Sequence, residues 1–305
     1  MQPYKKDPQH RKLYRHIIYV VPTCANPSGK TMPLKRREGL VRLARKYDCL
    51  VVCDDVYDFL QWPTSPGEPS NLPPSKPLPR LSDIDASLGP ADNDPGGFGY
   101  AVSNGSFSKI VGPGVRTGWM ASSPAFAYGL SQTGSSRSGG APSQLSATFM
   151  RELLRNGDLD RQLETVTRPA LQRRHRLIMD AIREHISPFG INVRETSLLG
   201  SSYFGGYFVW FSLPNGLSAK AVADRALRTE NLIIAHGGRF EVYGDEESAR
   251  FARDIRLCFS WEPEDVVVEG VERLARVLKD MVAKPCDRWE GSHQEKGTGD
   301  VEEFK

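Results

Sequence analysis

Short apolar runs alternate with one amphipathic segment along the first part of the chain. Four runs predict strands, at 17–21, 50–53, 100–102 and 118–121. The first two are rich in β-branched residues and carry no charge, which is typical of buried strands. Between them, Pro33 begins a helical pattern that continues to about Asp48. This strand–helix–strand order predicts a right-handed crossover and a parallel sheet, hence an α/β fold.

The helix predicted over 33–48 has an apolar face and a basic face. The apolar face is formed by Leu40, Val41, Leu43, Ala44 and Tyr47. The outward face carries Arg36, Arg37, Arg42, Arg45 and Lys46. Because arginine and lysine are rarely buried, we expect the whole basic face to lie in solvent.

The second half of the chain predicts a different architecture. Helices are expected at 143–155, 159–186, 218–230 and 263–283, with Pro169 kinking or restarting the longest of them. Strands are expected at 191–193, 207–211, 232–235 and 255–260. Mixed helices and strands after the long helix predict a smaller α+β domain.

These patterns predict a domain division. A large domain occupies 1–150 and contains a surface insertion at 63–99, because that stretch is rich in Pro, Gly, Ser and Asp and has little periodicity. A connecting helix spans 151–187, the small domain spans 188–285, and a charged, disordered tail follows at 286–305.

Composition narrows the possible partners. The 305 residues carry a net charge of only +3, from 40 basic and 37 acidic residues, which gives no basis for nucleic-acid or membrane binding. The start of the chain does not read as a signal peptide, and no apolar run approaches membrane-spanning length. The five cysteines fit no metal motif and indicate reduced thiols in a cytoplasmic protein.

Polar residues follow the first two predicted strands. Asn26 lies in an Asn-Pro-Ser-Gly turn after the first strand, and Asp54 and Tyr57 follow the second. Parallel strands deliver their carboxyl ends to one sheet edge, where ligand contacts are placed. The amide could donate to a ligand oxygen, the carboxylate could pair with a protonated ring nitrogen, and the phenol could donate to a ring oxygen. A turn-forming Asn and a helix-capping Asp would give the same residues.

The chemically richest stretch begins after the strand at 100–102. Ser106 and Ser108 flank Lys109, and Arg116 follows a Gly-Pro-Gly loop. A lysine held away from bulk water can attack an aldehyde to form a Schiff base, and Ser and Arg are the donor types that a phosphate prefers. A turn with a solvated lysine is the alternative.

One arginine, Arg256, interrupts the apolar strand predicted at 255–260. It needs an anionic partner, which is either a structural carboxylate or the carboxylate of a substrate. Glu241 and Glu262 are the possible structural partners.

Taken in order, these motifs resemble the fold-type I aminotransferases of class I/II, which use pyridoxal 5′-phosphate. The likeness is greatest to the 2-aminoadipate and aromatic-amino-acid aminotransferase branch and extends from about Ile17 to about Val282, apart from 63–99. It implies a three-layer large domain with a mainly parallel sheet, transamination between an L-amino acid and a 2-oxo acid, and a homodimer.

The resemblance also implies residue roles. Lys109 would hold the cofactor and shuttle the proton, and Asp54 would pair with the pyridinium nitrogen. Asn26 and Tyr57 would hydrogen-bond the phenolic oxygen of the ring. The phosphate would bind Ser106, Ser108 and Arg116. Arg256, with Asn26, would bind the substrate carboxylate.

The chain departs from the family at its beginning. The family has a long portion before Asn26 that supplies phosphate donors, an aromatic residue that stacks on the ring, early strands and an arm over the substrate. Only about two dozen residues precede Asn26 here. Three alternatives stay open: a carbon–sulfur lyase or decarboxylase on the same scaffold, a truncated homologue without activity, and an unrelated sugar- or nucleotide-binding α/β protein.

Overall fold

A computed structural model describes residues 11–65, 78–138, 143–198, 200–245 and 250–283. The predicted tail at 286–305 lies outside these residues, as do most of the predicted insertion's first half and Cys286. The boundaries of the predicted domains stay predictions. In the described part of the chain, no helix combines the length and the apolar character that crossing a membrane requires.

The described residues form nine strands and nine α-helices. The strands are β1 (His16–Val20), β2 (Cys49–Asp54), β3 (Gln61–Pro63), β4 (Ala101–Ser106), β5 (Gly118–Ala121), β6 (Tyr203–Gly205), β7 (Phe208–Ser212), β8 (Ala235–His236) and β9 (Asp254–Cys258). The helices are α1 (Leu34–Tyr47), α2 (Leu81–Ser87), α3 (Pro124–Ser131), α4 (Gly134–Arg137), α5 (Gln144–Arg155), α6 (Asp158–Gln162), α7 (Arg168–His185), α8 (Ala219–Glu230) and α9 (Glu264–Ala283).

The first sheet has the order β1-β2-β4-β5. Its first three strands are parallel and β5 is antiparallel to β4, so the predicted parallel sheet is confirmed. The helix α1 connects β1 to β2 and buries Val41 and Ala44 against the sheet. The carboxyl ends of β1, β2 and β4 therefore share one edge.

The sheet edge at β1 is more exposed than its apolar sequence predicts. Ile17 is 72% exposed and Tyr19 is 65% exposed, although the run was expected to be a buried strand. The prediction of burial is wrong because β1 is the edge strand, and the described residues leave the face of Ile17 and Tyr19 largely uncovered.

In helix α1, three side chains lie in environments other than those predicted. Leu43 and Tyr47, expected on the buried face, are about half exposed. Arg37, expected in solvent, is 1% exposed and makes four hydrogen bonds. Its guanidinium donates to the carbonyls of Met32, Pro22 and Pro79 and to Thr23 Oγ1 at 2.9–3.1 Å. Its burial is therefore compensated by backbone acceptors.

The composition of 63–99 suggested a stretch without regular secondary structure, but part of it is helical. It contains α2, whose Leu81 and Ile84 are buried against α1 and β4. Asp83 accepts a hydrogen bond from the Arg80 backbone N–H at 3.0 Å, which fixes the first turn. A helix of seven residues is too short to show a clear periodicity in the sequence.

The connecting segment is broken by a π-helical turn at Leu163–Thr167 between α6 and α7. Pro169 lies in the first turn of α7, so the helix restarts there, which is one of the two outcomes predicted. Helix α7 packs on α9 and on β3.

The second half forms a three-stranded antiparallel sheet with the order β7-β9-β8. The predicted strand at 191–193 is absent from the described structure, because Ile191 enters the core from irregular backbone. The predicted strand at 232–235 is reduced to β8, and Ile233 is 72% exposed. The strands β3 and β6 were not predicted; they pair antiparallel and join the two halves of the chain.

Asp55, the residue after β2, is a buried structural carboxyl. It is 2% exposed and accepts a hydrogen bond from Ser103 Oγ at 2.5 Å, while its Oδ1 has no partner among the described residues. Burial, and secondly the nearby charge of Asp58, raises the pKa of Asp55 to about 6.

We predict that Arg37→Ala lowers the free energy of unfolding by about 3 kcal/mol or more, because several buried acceptors lose a charged donor. Denaturant unfolding measures this change. Arg36→Ala, one position away on the exposed face of α1, is the matched control and should change stability by less than about 0.5 kcal/mol. Similar losses in both variants would contradict the role given to Arg37.

We predict a pH signature for Asp55. Since its pKa is raised in the folded state, its contribution to stability is present below its ordinary pKa of 3.8 and is lost as the pH rises through about 6. Relative to Asp55→Asn, the wild type should therefore lose about 2 kcal/mol of unfolding free energy between about pH 4 and pH 7. Asp92→Asn, at an exposed position, is the matched control. An unchanged difference between wild type and Asp55→Asn would contradict the raised pKa.

Candidate active site

The polar residues predicted from the sequence lie at the carboxyl edge of the parallel strands. Asp54 is the last residue of β2, Ser106 is the last of β4, and Asn26 lies in the turn after β1. Lys109 follows Ser106 in a tight turn, in which the backbone N–H groups of Ile110 and Val111 donate to the Phe107 carbonyl. The arrangement follows from the parallel pairing of the strands.

Lys109 is half-buried beside two tyrosine rings. Its Nζ lies 5.9 Å from the ring centre of Tyr57 and 5.5 Å from that of Tyr207. Its backbone carbonyl accepts a hydrogen bond from the Tyr207 hydroxyl at 2.5 Å. No residue in the described ranges forms a hydrogen bond or ion pair with the Lys109 amine, so this amine is available to react.

The two tyrosines form an aromatic pair with centres 5.6 Å apart in an edge-to-face arrangement. Tyr57 is 3% exposed. Burial raises the pKa of Tyr207 to about 12 and raises that of Tyr57 further. Both phenols are therefore neutral hydrogen-bond donors at physiological pH. Sequence reasoning missed Tyr207 because it stands at the start of a run interpreted only as a strand.

Asp54 and Asp55 occupy opposite environments although they are adjacent. Successive side chains of an extended chain point to opposite faces. Asp54 is partly exposed and accepts a hydrogen bond from the Tyr19 hydroxyl at 2.7 Å, whereas Asp55 is enclosed. Asp54 is therefore the accessible carboxylate of the two. Tyr19 was also missed, because its partner depends on the pairing of β1 with β2.

A group of oxygen and nitrogen donors surrounds the turn after β4. The Ser108 backbone N–H donates to Ser106 Oγ at 3.1 Å, and Arg116 Nη1 lies 3.4 Å from Ser108 Oγ. Arg116 also donates to the Pro113 carbonyl at 2.8 Å and has a left-handed backbone with φ of 46°. Two hydroxyls and a guanidinium, brought together in this way, form a site of the type that binds phosphate.

Arg256 connects the three-stranded sheet β7-β9-β8 to the turn that contains Asn26. Its Nη1 donates to Asn26 Oδ1 at 2.7 Å, and its guanidinium carbon lies 4.0 Å from the Phe208 ring centre and 4.7 Å from that of Phe240. Burial lowers the pKa of Arg256. Its Nε is buried without a partner in the described part of the chain.

Neither carboxylate considered as a structural partner of Arg256 fills that role. Glu241 Oε1 accepts a hydrogen bond from the Phe251 backbone N–H at 2.6 Å, and the Glu262 contact is made by its carbonyl to Arg174. Among the described residues, Arg256 forms no ion pair with any carboxylate. A half-buried guanidinium with an unpartnered Nε–H favours an anionic ligand.

The sequence matches a known protein family and several of its members. The profile of the family described as "Aminotransferase class I and II" matches residues 2–274. An uncharacterized protein of Saccharomyces cerevisiae is 37% identical over 270 residues, which are 88% of this chain and 57% of that protein. Aromatic-amino-acid aminotransferase 1 of Thermococcus litoralis is 28% identical over 88% of this chain and 55% of its own length.

A solved structure has the same fold. The α-aminoadipate aminotransferase LysN of Thermus thermophilus, complexed with N-(5′-phosphopyridoxyl)-L-leucine, superposes with a TM-score of 0.68 at 26% identity. The match covers 88% of this chain and 59% of LysN. The chain thus spans less than two thirds of the length of each of these relatives. The family uses pyridoxal phosphate, and the chain belongs to the class I and II aminotransferases.

Proposed function

We propose that the protein acts as a pyridoxal-phosphate-dependent aminotransferase, with Lys109 holding the cofactor. The observation that carries this proposal is the half-buried Lys109 amine, which lies beside Tyr57 and Tyr207 without a partner in the described ranges. The substrates would be an L-amino acid, aromatic or 2-aminoadipate-like, and a 2-oxo acid. The names of the relatives from Thermococcus litoralis and Thermus thermophilus support this substrate class.

The residues present fit the cofactor. Each of its functional groups finds a chemically suitable side chain: an amine for the aldehyde, a carboxylate for the ring nitrogen, a phenol and an amide for the ring oxygen, and hydroxyls with a guanidinium for the phosphate. These are Lys109, Asp54, Tyr57, Asn26, Ser106, Ser108 and Arg116. The Tyr57 hydroxyl, like the Lys109 amine, has no hydrogen-bond partner among the described residues. When bound, pyridoxal phosphate supplies an electron sink for the substrate's α-carbon.

Lys109 would move the proton of the reaction. Its Nζ would take the proton from the substrate α-carbon and return it at the carbonyl carbon of the cofactor. The hydrogen bond from Tyr207 to the Lys109 carbonyl fixes the backbone from which this amine projects. Asp54 would accept a hydrogen bond from the ring nitrogen, and Tyr19 orients that carboxylate from the neighbouring strand.

Arg256 would bind the substrate carboxylate. One of its nitrogens is engaged by Asn26, which leaves Nε and the second terminal nitrogen for a ligand. The rings of Phe208 and Phe240 hold the guanidinium in place and exclude water from its faces. A carboxylate bound there gains two charge-assisted hydrogen bonds.

The cellular setting is part of the proposal. We expect a homodimer in the cytoplasm. Among the described cysteines, Cys24, Cys49 and Cys53 are buried free thiols and Cys258 is an exposed one, which supports a reducing compartment. The homodimer is an expectation from family membership.

We predict that Lys109→Ala abolishes covalent attachment of pyridoxal phosphate, because it removes the amine proposed to form the Schiff base. Borohydride reduction followed by peptide mapping should label Lys109 in the wild type and nothing in the variant. Lys30→Ala removes an exposed lysine from the Asn26 turn and should leave the label intact. A label that persists in Lys109→Ala would contradict the assignment.

We predict that Arg256→Ala weakens binding of amino-acid substrates by roughly 10–100-fold, because charge-assisted hydrogen bonds are lost. Affinity for pyridoxal phosphate should change by less than about threefold, since the groups proposed for the phosphate lie elsewhere. Spectral titration measures both. Arg253→Ala, an exposed arginine just before β9, is the control. Equal losses of substrate and cofactor would instead show that Arg256 is structural.

A further inference from the structure

A cavity lies apart from the candidate active site, between α7 and β3. Its volume is about 100 Å³, and it shares no residue with the site described above. Its walls include Trp62, His175 and Met179, with Arg176, Arg183 and Glu195 also lining it. One water needs roughly 10–15 Å³ on this measure, so the cavity has room for several waters or one small molecule.

Two buried polar atoms in the cavity walls lack partners. Trp62 is fully buried and His175 is 5% exposed, yet neither Trp62 Nε1 nor His175 Nε2 has a hydrogen bond within the described residues. Buried polar atoms in folded proteins are nearly always hydrogen-bonded, because an unpaired one costs about 1–3 kcal/mol. Since both rings line the cavity, its contents are the natural source of the missing partners.

The chemistry of the two rings defines what the contents must offer. An indole nitrogen is only a donor, so Trp62 needs an acceptor. His175 is stacked on Phe204, with ring centres 3.9 Å apart and planes at 13°. Burial lowers the pKa of His175 to about 3, so the imidazole is neutral at physiological pH and can donate from one nitrogen only.

The charged residues of the cavity favour an anion. Arg183 is paired with Asp180 at 2.9 Å and with Glu195 at 3.7 Å. Arg176 is exposed and forms no ion pair or hydrogen bond with the described residues. The carboxylate of Glu195 is thus already engaged, and the guanidinium of Arg176 is the charge left over. A carboxylate can accept from Trp62 and from Arg176 at once, whereas a water offers the guanidinium no opposite charge.

We propose that this cavity binds a small organic carboxylate, whose oxygens accept hydrogen bonds from Trp62 Nε1 and Arg176. Its short apolar end would lie against Met179 and the face of the stacked aromatic cluster. The size of the cavity limits the ligand to a few non-hydrogen atoms, comparable to propionate. The proposal does not depend on the aminotransferase activity, since it uses none of the residues assigned to it.

The site is nonetheless connected to the candidate active site by one ring. Phe204, which stacks on His175, also reaches the Asn26 turn, where its Cζ lies 3.4 Å from the position that a Cβ on Gly29 would occupy. A ligand beside His175 is therefore separated from this turn by a single aromatic side chain. For this reason, the test must separate binding here from carboxylate binding at Arg256.

The test is an NMR titration of the full chain, labelled with ¹⁵N in its five tryptophans, with sodium propionate. The Trp62 indole signal is identified by its loss in Trp62→Phe. We expect this signal to shift and saturate with a dissociation constant of about 1–10 mM, as few-atom ligands bind weakly. The shift should be the same in an Arg256→Ala background, which removes the other proposed carboxylate site.

Two variants complete the test. Arg176→Gln should weaken propionate binding about tenfold or more, since it removes a charge-assisted hydrogen bond. Met179→Leu keeps the volume and polarity of the wall and should leave the affinity within about twofold. A Trp62 signal that does not move at saturating propionate would show that the cavity holds water only and would overturn the proposal. An affinity unchanged in Arg176→Gln, or lost in Arg256→Ala, would also overturn it.

Discussion

The structure depends on a close approach of backbone between the two halves of the chain. A Cβ on Gly29 would lie 3.2 Å from the Phe208 carbonyl, and one on Gly205 would lie 2.4 Å from the Leu60 carbonyl. A side chain does not fit at Gly205, and at Gly29 it would displace the Phe208 carbonyl and be strained by a φ of 65°. Because the two halves of the chain meet there without intervening side chains, Arg256 reaches Asn26 and Tyr207 reaches Lys109. The candidate site is therefore a product of this contact, and neither half contains it alone.

Sequence pattern predicted the elements that depend on local information. The parallel sheet and α1 follow from the pattern of apolar residues. The restart of the helix at Pro169 follows from the proline itself. Arg37 could not be predicted, because its acceptors are carbonyls at Pro22, Met32 and Pro79, which no residue pattern reports. The exposure of β1 was missed for a related reason: an apolar run shows what a strand can bury, and burial itself depends on what packs against it.

The candidate site also depends on contacts that could not be predicted from the sequence. The motifs that contain Asn26, Asp54 and Lys109 are local, so their chemistry could be proposed from the sequence. The side chains that support them come from other elements: Tyr19 from the neighbouring strand and Phe240 from the turn after β8. Their contributions depend on where the strand and the turn lie in the folded chain. The same holds for Trp62 and His175, which are 113 positions apart in sequence and become partners in one cavity only after folding.

The π-helical turn at Leu163–Thr167 explains a further departure from simple periodicity. Leu163 and Leu171 are both buried and are eight residues apart, which on an ideal α-helix places them about 80° apart, at the two sides of one apolar face. A π turn accommodates about one extra residue, which brings both side chains closer together on that face and leaves Val166 half exposed. In structural terms, the turn is equivalent to a single residue inserted into an α-helix. A homologue one residue shorter here could keep the same core with an uninterrupted α-helix, so an alignment gap at this point would record a change of helix type rather than of fold.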